Sequence, residues 1–162
     1  MTENPSLYRS PAGEKAVMAF YDAVLAAWPV PYTTQMVETR YGDTFVISSG
    51  DPTNPPMILL HGGTSNAVSW AGDVAAYAKQ YHVHAVDQIG DPGRSAPTRP
   101  PLEGSAFADW LDDVRMGLNV ACVTLVGLSQ GGWIALKYST TYPDRVAALV
   151  LLTPGGIMPH NE

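Results

Sequence analysis

The 162 residues are 46% hydrophobic and 15% charged, a balance that can bury a core and excludes a disordered chain. Fifteen acidic side chains against nine basic ones leave a net charge of −6 with no Lys/Arg cluster, which disfavours a nucleic-acid or anionic-membrane partner surface. No stretch is long enough to span a bilayer, and a lone cysteine, Cys122, excludes an intrachain disulfide and a cysteine-based metal site, so the chain reads as cytoplasmic.

In chain order, residues 13–28 predict a helix. Its apolar run resembles a signal-peptide core in length. It contains Asp22, follows Glu14 and Lys15 and ends at Pro29, so it reads instead as a helix packed on the domain. Residues 34–40 and 43–48 predict two short strands forming a hairpin that turns at Tyr41-Gly42-Asp43. A Pro-rich loop, Asp51 to Pro56, precedes Met57-Ile58-Leu59-Leu60, a continuous apolar run of the kind buried on both faces in parallel sheets.

His61-Gly62-Gly63-Thr64 ends that strand, and a helix is expected at about 66–80. A strand from Val83 to Val86 ends at Asp87. The loop Gln88 to Ser95 then runs on into Pro97, Pro100 and Pro101. A helix at about 105–118, a strand at 121–126, a helix at 130–142 and a strand at 146–152 complete the series, with no internal repeat or low-complexity block.

This alternation predicts an α/β fold with a mostly parallel sheet and helices on both faces, joined by right-handed crossovers. Ligands in such sheets sit at the carboxyl ends of the strands, where each unusual loop of this chain falls.

Gly127-Leu128-Ser129-Gln130-Gly131 fits G-x-S-x-G between a strand and a helix. A sharp turn there needs glycine at Gly127 and Gly131, lifts the Ser129 hydroxyl clear of the sheet and leaves the Gln130 N–H free to hold an oxyanion. A second donor is expected from the loop after the earlier buried strand. The N–H of Gly63 is the first choice and that of Thr64 the fallback. Ser129 is therefore the expected nucleophile.

With these motifs in place, the chain resembles the α/β-hydrolase superfamily over about residues 40 to 158. The segment LLHGGTSNAVSW (59–70) looks like its oxyanion loop, and VDQIGDPGRS (86–95) like the loop after its fourth strand. FADWLDDVRMGL (107–118) is similar to the helix before its nucleophile strand. LVGLSQGGWIALKYSTTYPDRVAALVLLTPGG (125–156) looks like its elbow, following helix and sixth strand. The resemblance is strongest to small esterase-type members with a cap after the sixth strand. It implies a serine hydrolase of carboxylesterase type acting on a small acyl substrate, with no cofactor. It also implies an N-terminal helical extension over 1–33 and, over 34–162, the N-terminal portion of the hydrolase core.

In the family an Asp or Glu and then a His follow the sixth strand, whereas this sequence stops at Glu162. The four histidines are poor replacements. His61, in the oxyanion loop with Gly62, is expected to brace the turn. His82 and His84 share a strand face and read as partly exposed residues without a third metal ligand, so no metal site is expected. His160 lies where the cap would start.

Asp87 is expected to hold the backbone of the Gly90–Ser95 loop, Asp91-Pro92-Gly93 to form a turn and Arg94 to brace it. Cys122 is expected in a buried strand. Trp70, Trp110 and Trp133 read as packing residues, with Trp133 a candidate border of the acyl pocket.

The apolar strand 146–152 would be left as a hydrophobic sheet edge. Two readings follow. The favoured one is the N-terminal part of a larger hydrolase, cut in the cap and still bound to the C-terminal fragment that supplies the acid and His. The other is a truncated gene product that self-associates through the exposed edge. The alternative function is a non-catalytic binding module or inactive fragment that keeps the hydrolase pocket.

Overall fold

The computed structural model describes residues 7–156. Helix α1, Pro11–Ala26, starts on Ser10, whose hydroxyl accepts the Gly13 N–H at 3.1 Å, with Pro11 in the first turn where no donor is needed. Six strands follow: β1 Tyr32–Val37, β2 Thr44–Ser49, β3 Pro56–Leu60, β4 His82–Val86, β5 Val123–Leu128 and β6 Val146–Leu152. Two long helices, here α2 (Ala106–Gly117) and α3 (Gln130–Thr141), flank β5 in sequence.

The strands form one sheet in the order β1-β2-β4-β3-β5-β6. The hairpin β1–β2 joins β4 antiparallel, and β4, β3, β5 and β6 run parallel. The fold is therefore α/β with a mostly parallel sheet. Alternation along each strand divides the core in two. Ile58, Leu60, Val86 and Leu125 pack with α2 and α3, including Trp110, Leu111, Ile134 and Tyr138. Met57, Leu59, Val83, Ala85 and Val126 point the other way, towards Tyr21 and Leu25 of α1 and towards Val68 and Trp70.

The register places the site. Leu60 stands opposite both Val86 and Gly127, and Gly127 stands opposite Leu151. The residues that follow these four strands (His61, Asp87, Ser129 and Thr153) thus emerge along one rim of the sheet. Strand β6 is one of the sheet's two edges among the described residues, β1 being the other. Leu149 and Leu151 pack on the core, while Val150 and Leu152 are exposed.

Three sequence expectations need correction. The helix expected at 66–80 is broken into a 3-10 segment, Ala67–Gly72, and one α-turn, Val74–Tyr77. Its first N–H, that of Ala67, is drawn to the Asp87 carboxylate at 2.6 Å, and the buried Val68 and Trp70 anchor a tight turn. Cys122 is exposed, because β5 begins only at Val123.

His84 is buried, not partly exposed. The β1–β2 hairpin lies on the outer side of β4, so β4 is an interior strand. The Nδ1 of His84 is 2.8 Å from the Ser48 hydroxyl, its Nε2 has no partner, and its ring meets that of His82 with 4.3 Å between centroids. No group of three metal-ligating side chains occurs among the described residues, and none of their helices is long and apolar enough to cross a membrane.

Candidate active site

Ser129 alone turns the chain from β5 into α3. Its backbone sits at φ 51° and ψ −112°, a region that non-glycine residues avoid. Three backbone hydrogen bonds hold it there. Its N–H donates to the Leu152 carbonyl at 2.9 Å, and its own carbonyl accepts from Trp133 at 3.1 Å and from Gly155 at 3.0 Å.

The flanking glycines are sterically required. A β-carbon on Gly127 would lie 2.4 Å from the Gly131 carbonyl oxygen, and one on Gly131 would lie 2.2 Å from that of Leu60. Ser129 is exposed, and its hydroxyl makes no hydrogen bond with any described residue. It opens on a cavity of about 750 Å³ lined by Thr64, Asp91, Phe107, Gln130 and Trp133 among others.

The loop 61–64 packs directly beside Ser129. A β-carbon on Gly62 would come within 3.7 Å of the Ser129 Cβ, and one on Gly63 would strike the Gln130 Oε1 at 2.6 Å. The Gly63 and Gln130 N–H groups donate to no described residue. The Thr64 N–H is already directed to the Asp91 Oδ1 at 3.3 Å, with Thr64 itself at φ 59°. Thr64 thus lines the cavity but does not offer its N–H to it.

His61 is fully buried beneath the loop. The Gln88 N–H donates to its Nε2 at 2.9 Å, so its Nδ1 carries the hydrogen and donates to the Gly62 carbonyl at 2.7 Å. Burial lowers its pKa to about 4, and with both nitrogens engaged the ring is a neutral brace with no free site for a proton.

Beside it runs a side-chain network that spacing in the sequence does not announce. The Gln88 Nε2 donates to the His61 carbonyl. The Gln130 Nε2 donates to the Gln88 Oε1 at 3.2 Å and to the Asp91 Oδ2 at 3.1 Å. Asp91 is buried, which pushes its carboxyl pKa up. Read from the sequence as part of a turn, it is in fact a wall of the cavity. An acid in a loop at the carboxyl end of a strand was the signal available.

Asp87 has a structural environment. Its carboxylate accepts the Tyr21 hydroxyl at 3.1 Å, the Ala67 N–H and the Arg94 N–H at 2.7 Å. Arg94 lies over the rings of Tyr21 and Phe45 and pairs with Asp22. The loop after β4 is thereby fastened to α1. His82 begins β4 beside Pro56, at the end of the sheet away from Ser129, and His84 is the strand's middle residue, beside Ile58 and 2.8 Å from the Ser48 hydroxyl. Trp70 and Trp110 are buried in the two cores, whereas Trp133 borders the cavity. His160 lies outside the described residues.

Comparison with known proteins agrees with the fold. A family model described as the alpha/beta hydrolase fold matches residues 55–162. Carboxylesterase YbfK of Bacillus subtilis is 37% identical over 134 residues, which are 83% of this chain and 45% of that protein. Its crystal structure superposes with a TM-score of 0.81 at 35% identity, covering 87% of this chain and 50% of that one. The naproxen esterase (carboxylesterase NP) of Bacillus subtilis gives a TM-score of 0.80 at 32% identity over 91% of this chain and 51% of that one. The chain spans about half the length of the curated relatives it matches.

Proposed function

The chain belongs to the α/β-hydrolase fold family, and from that premise we propose that it carries the nucleophile half of a serine carboxylesterase acting on a small acyl substrate. The observation that carries this reading is the strained, exposed Ser129 beside two unoccupied N–H donors, those of Gly63 and Gln130. The similarity to two carboxylesterases supports the ester as the substrate class.

In the proposed reaction the Ser129 Oγ bonds to the ester carbonyl carbon while its proton passes to a histidine. The carbonyl oxygen takes up the negative charge between the Gly63 and Gln130 N–H groups. Collapse of this intermediate breaks the carbon–oxygen bond of the ester, and the leaving alkoxide takes the proton from the histidine. Water, deprotonated by the same histidine, then releases the acid and restores Ser129. Among the described residues His61 is fully engaged, His82 begins β4 at the end away from Ser129, and His84 is buried within the sheet against Ser48. We therefore place the activating histidine and its acid on residues outside this sequence, on a C-terminal part bound along β6.

A fluorophosphonate probe tests this. The expected result is a covalent adduct on Ser129, lost in Ser129→Ala, in a preparation whose native mass includes a second polypeptide. A folded two-chain preparation that takes no label overturns the reading.

The free Ser129 hydroxyl also supports a second reading, a module that binds acyl ligands without turning them over. It predicts a single 17.3 kDa species that binds ligand and takes no label. Robust ester turnover by the 162-residue chain alone contradicts it.

A further inference from the structure

Asp91 is the end point of a hydrogen-bond chain whose direction is set at its other end. The His61 carbonyl can only accept, so Gln88 must turn its NH2 group towards it and present Oε1 outwards. That oxygen also only accepts, so Gln130 must turn its own NH2 group to it. The same Gln130 nitrogen reaches the Asp91 Oδ2, and the Thr64 N–H reaches the Asp91 Oδ1. Both groups arriving at residue 91 are donors. A carboxylate answers both, whereas a carboxamide offers one acceptor and sets its NH2 group against the other donor.

The arrangement bears directly on the two anion-binding N–H groups. Thr64 follows Gly63, and Gln130 opens the first turn of α3, so Asp91 bridges the two segments that carry them. With its NH2 pinned to Asp91 and Gln88, the Gln130 side chain turns its Oε1 towards Gly63, where a β-carbon would lie only 2.6 Å away. The loop and the helix start are thus matched to each other through this one side chain.

We propose that Asp91 is the positioning residue of the oxyanion hole. Its carboxyl group acts through Thr64 and Gln130 to fix the distance between the Gly63 and Gln130 N–H groups. Burial pushes the Asp91 carboxyl pKa up, and the Thr64 N–H and the Arg99 guanidinium, whose Nε is held on the Gly90 carbonyl at 3.1 Å, oppose that push. The proposal rests on the serine-esterase reading for its catalytic consequence, though not for its structural one.

The test has a structural arm and a kinetic arm. By NMR, Asp91→Ala is expected to speed exchange of the Thr64 amide hydrogen at least about tenfold and to shift the Gln130 side-chain NH2 resonances. Gln130→Met, which cuts the network at its other partner, is expected to speed Thr64 exchange as well, and it decides the matter if the Asp91 variants fail to fold. In p-nitrophenyl acetate hydrolysis by the full assembly, Asp91→Asn is expected to lower kcat about tenfold or more with KM within about twofold. Added to Gln130→Met, it is expected to cost less than about twofold further, because the link is already gone.

Unchanged exchange at Thr64 in both variants, or kinetic effects that simply multiply, overturns the proposal. Absence of any ester turnover in the wild type overturns the esterase reading instead, and the exchange arm still decides the role of Asp91.

Discussion

Gly131 donates its N–H to the His61 carbonyl at 3.1 Å, and the two backbones lie so close that a β-carbon on Gly131 would stand 2.5 Å from that oxygen. In an open helix, alanine in place of glycine stabilises by up to about 1 kcal/mol. Here the obstructing atoms are backbone and cannot swing aside. Gly131→Ala is expected to destabilise by about 1–3 kcal/mol, read as a lowered midpoint in urea. An unchanged or raised midpoint would show that the strand–helix contact is looser than described.

The positive φ of Ser129 predicts a trade between stability and chemistry. Ser129→Ala removes the hydroxyl and keeps the strained backbone. Ser129→Gly removes both, and although glycine costs more entropy on folding, relief of the strain outweighs it. The glycine variant is expected to be more stable than the alanine variant by on the order of 1 kcal/mol in thermal unfolding. Equal melting temperatures for the two would remove the case for strain.

Acid sensitivity follows from His61 and His84, each held at a pKa of about 4 by burial, with the neighbouring His82 adding to the effect at His84. Because both pKa values lie below the unfolded one, the unfolded chain binds more protons. Stability is therefore full above about pH 6.5 and is lost as pH falls towards 4, with up to roughly 3 kcal/mol for each fully buried ring. Burial raises Asp87 and Asp91, which act in the opposite sense in acid. The contrast between wild type and His84→Leu isolates one ring: the variant should lose less stability between pH 7 and pH 5 in urea titrations. Parallel losses would contradict the buried, neutral state of His84.

Asp87 should be intolerant of its own amide. Asn at this position presents NH2 to a site that receives three donors, from Tyr21, Ala67 and Arg94. Asp87→Asn is expected to cost about 2–4 kcal/mol and to raise hydrogen exchange across residues 88–95, whereas Tyr21→Phe should cost only about 1 kcal/mol. Similar costs for the two would mean that the carboxylate does not organise the loop.

Cys122 should react with a thiol reagent such as DTNB in the native state, one equivalent without denaturant, because it is exposed. Reaction only after unfolding would return it to the strand interior.

The sheet was readable because its strands are short apolar runs closed by glycine or by polar residues. Met57–Leu60 and Val146–Leu152 carry that signature plainly. Ser129 stood out because its turn demands glycines that have no other reason to be there. What stayed hidden depends on contacts remote in sequence. His84 is buried by a hairpin some 36 residues away, where Ser48 meets it, and periodicity cannot tell an interior strand from a bordering one. The broken segment after Thr64 follows from an acid 20 residues later that captures the Ala67 N–H. Asp91 meets Gln130 across 39 residues, and only the assembled loops bring a turn residue and a helix start together.

The hydrogen bond from Ser129 to the Leu152 carbonyl couples the reactive turn to the outermost strand. The outer side of β6 carries no partner among the described residues. Displacement of Leu152 at that edge would therefore reach Ser129 through a single hydrogen bond. The border strand and the serine turn thus share one peptide link, already closed in the chain by itself.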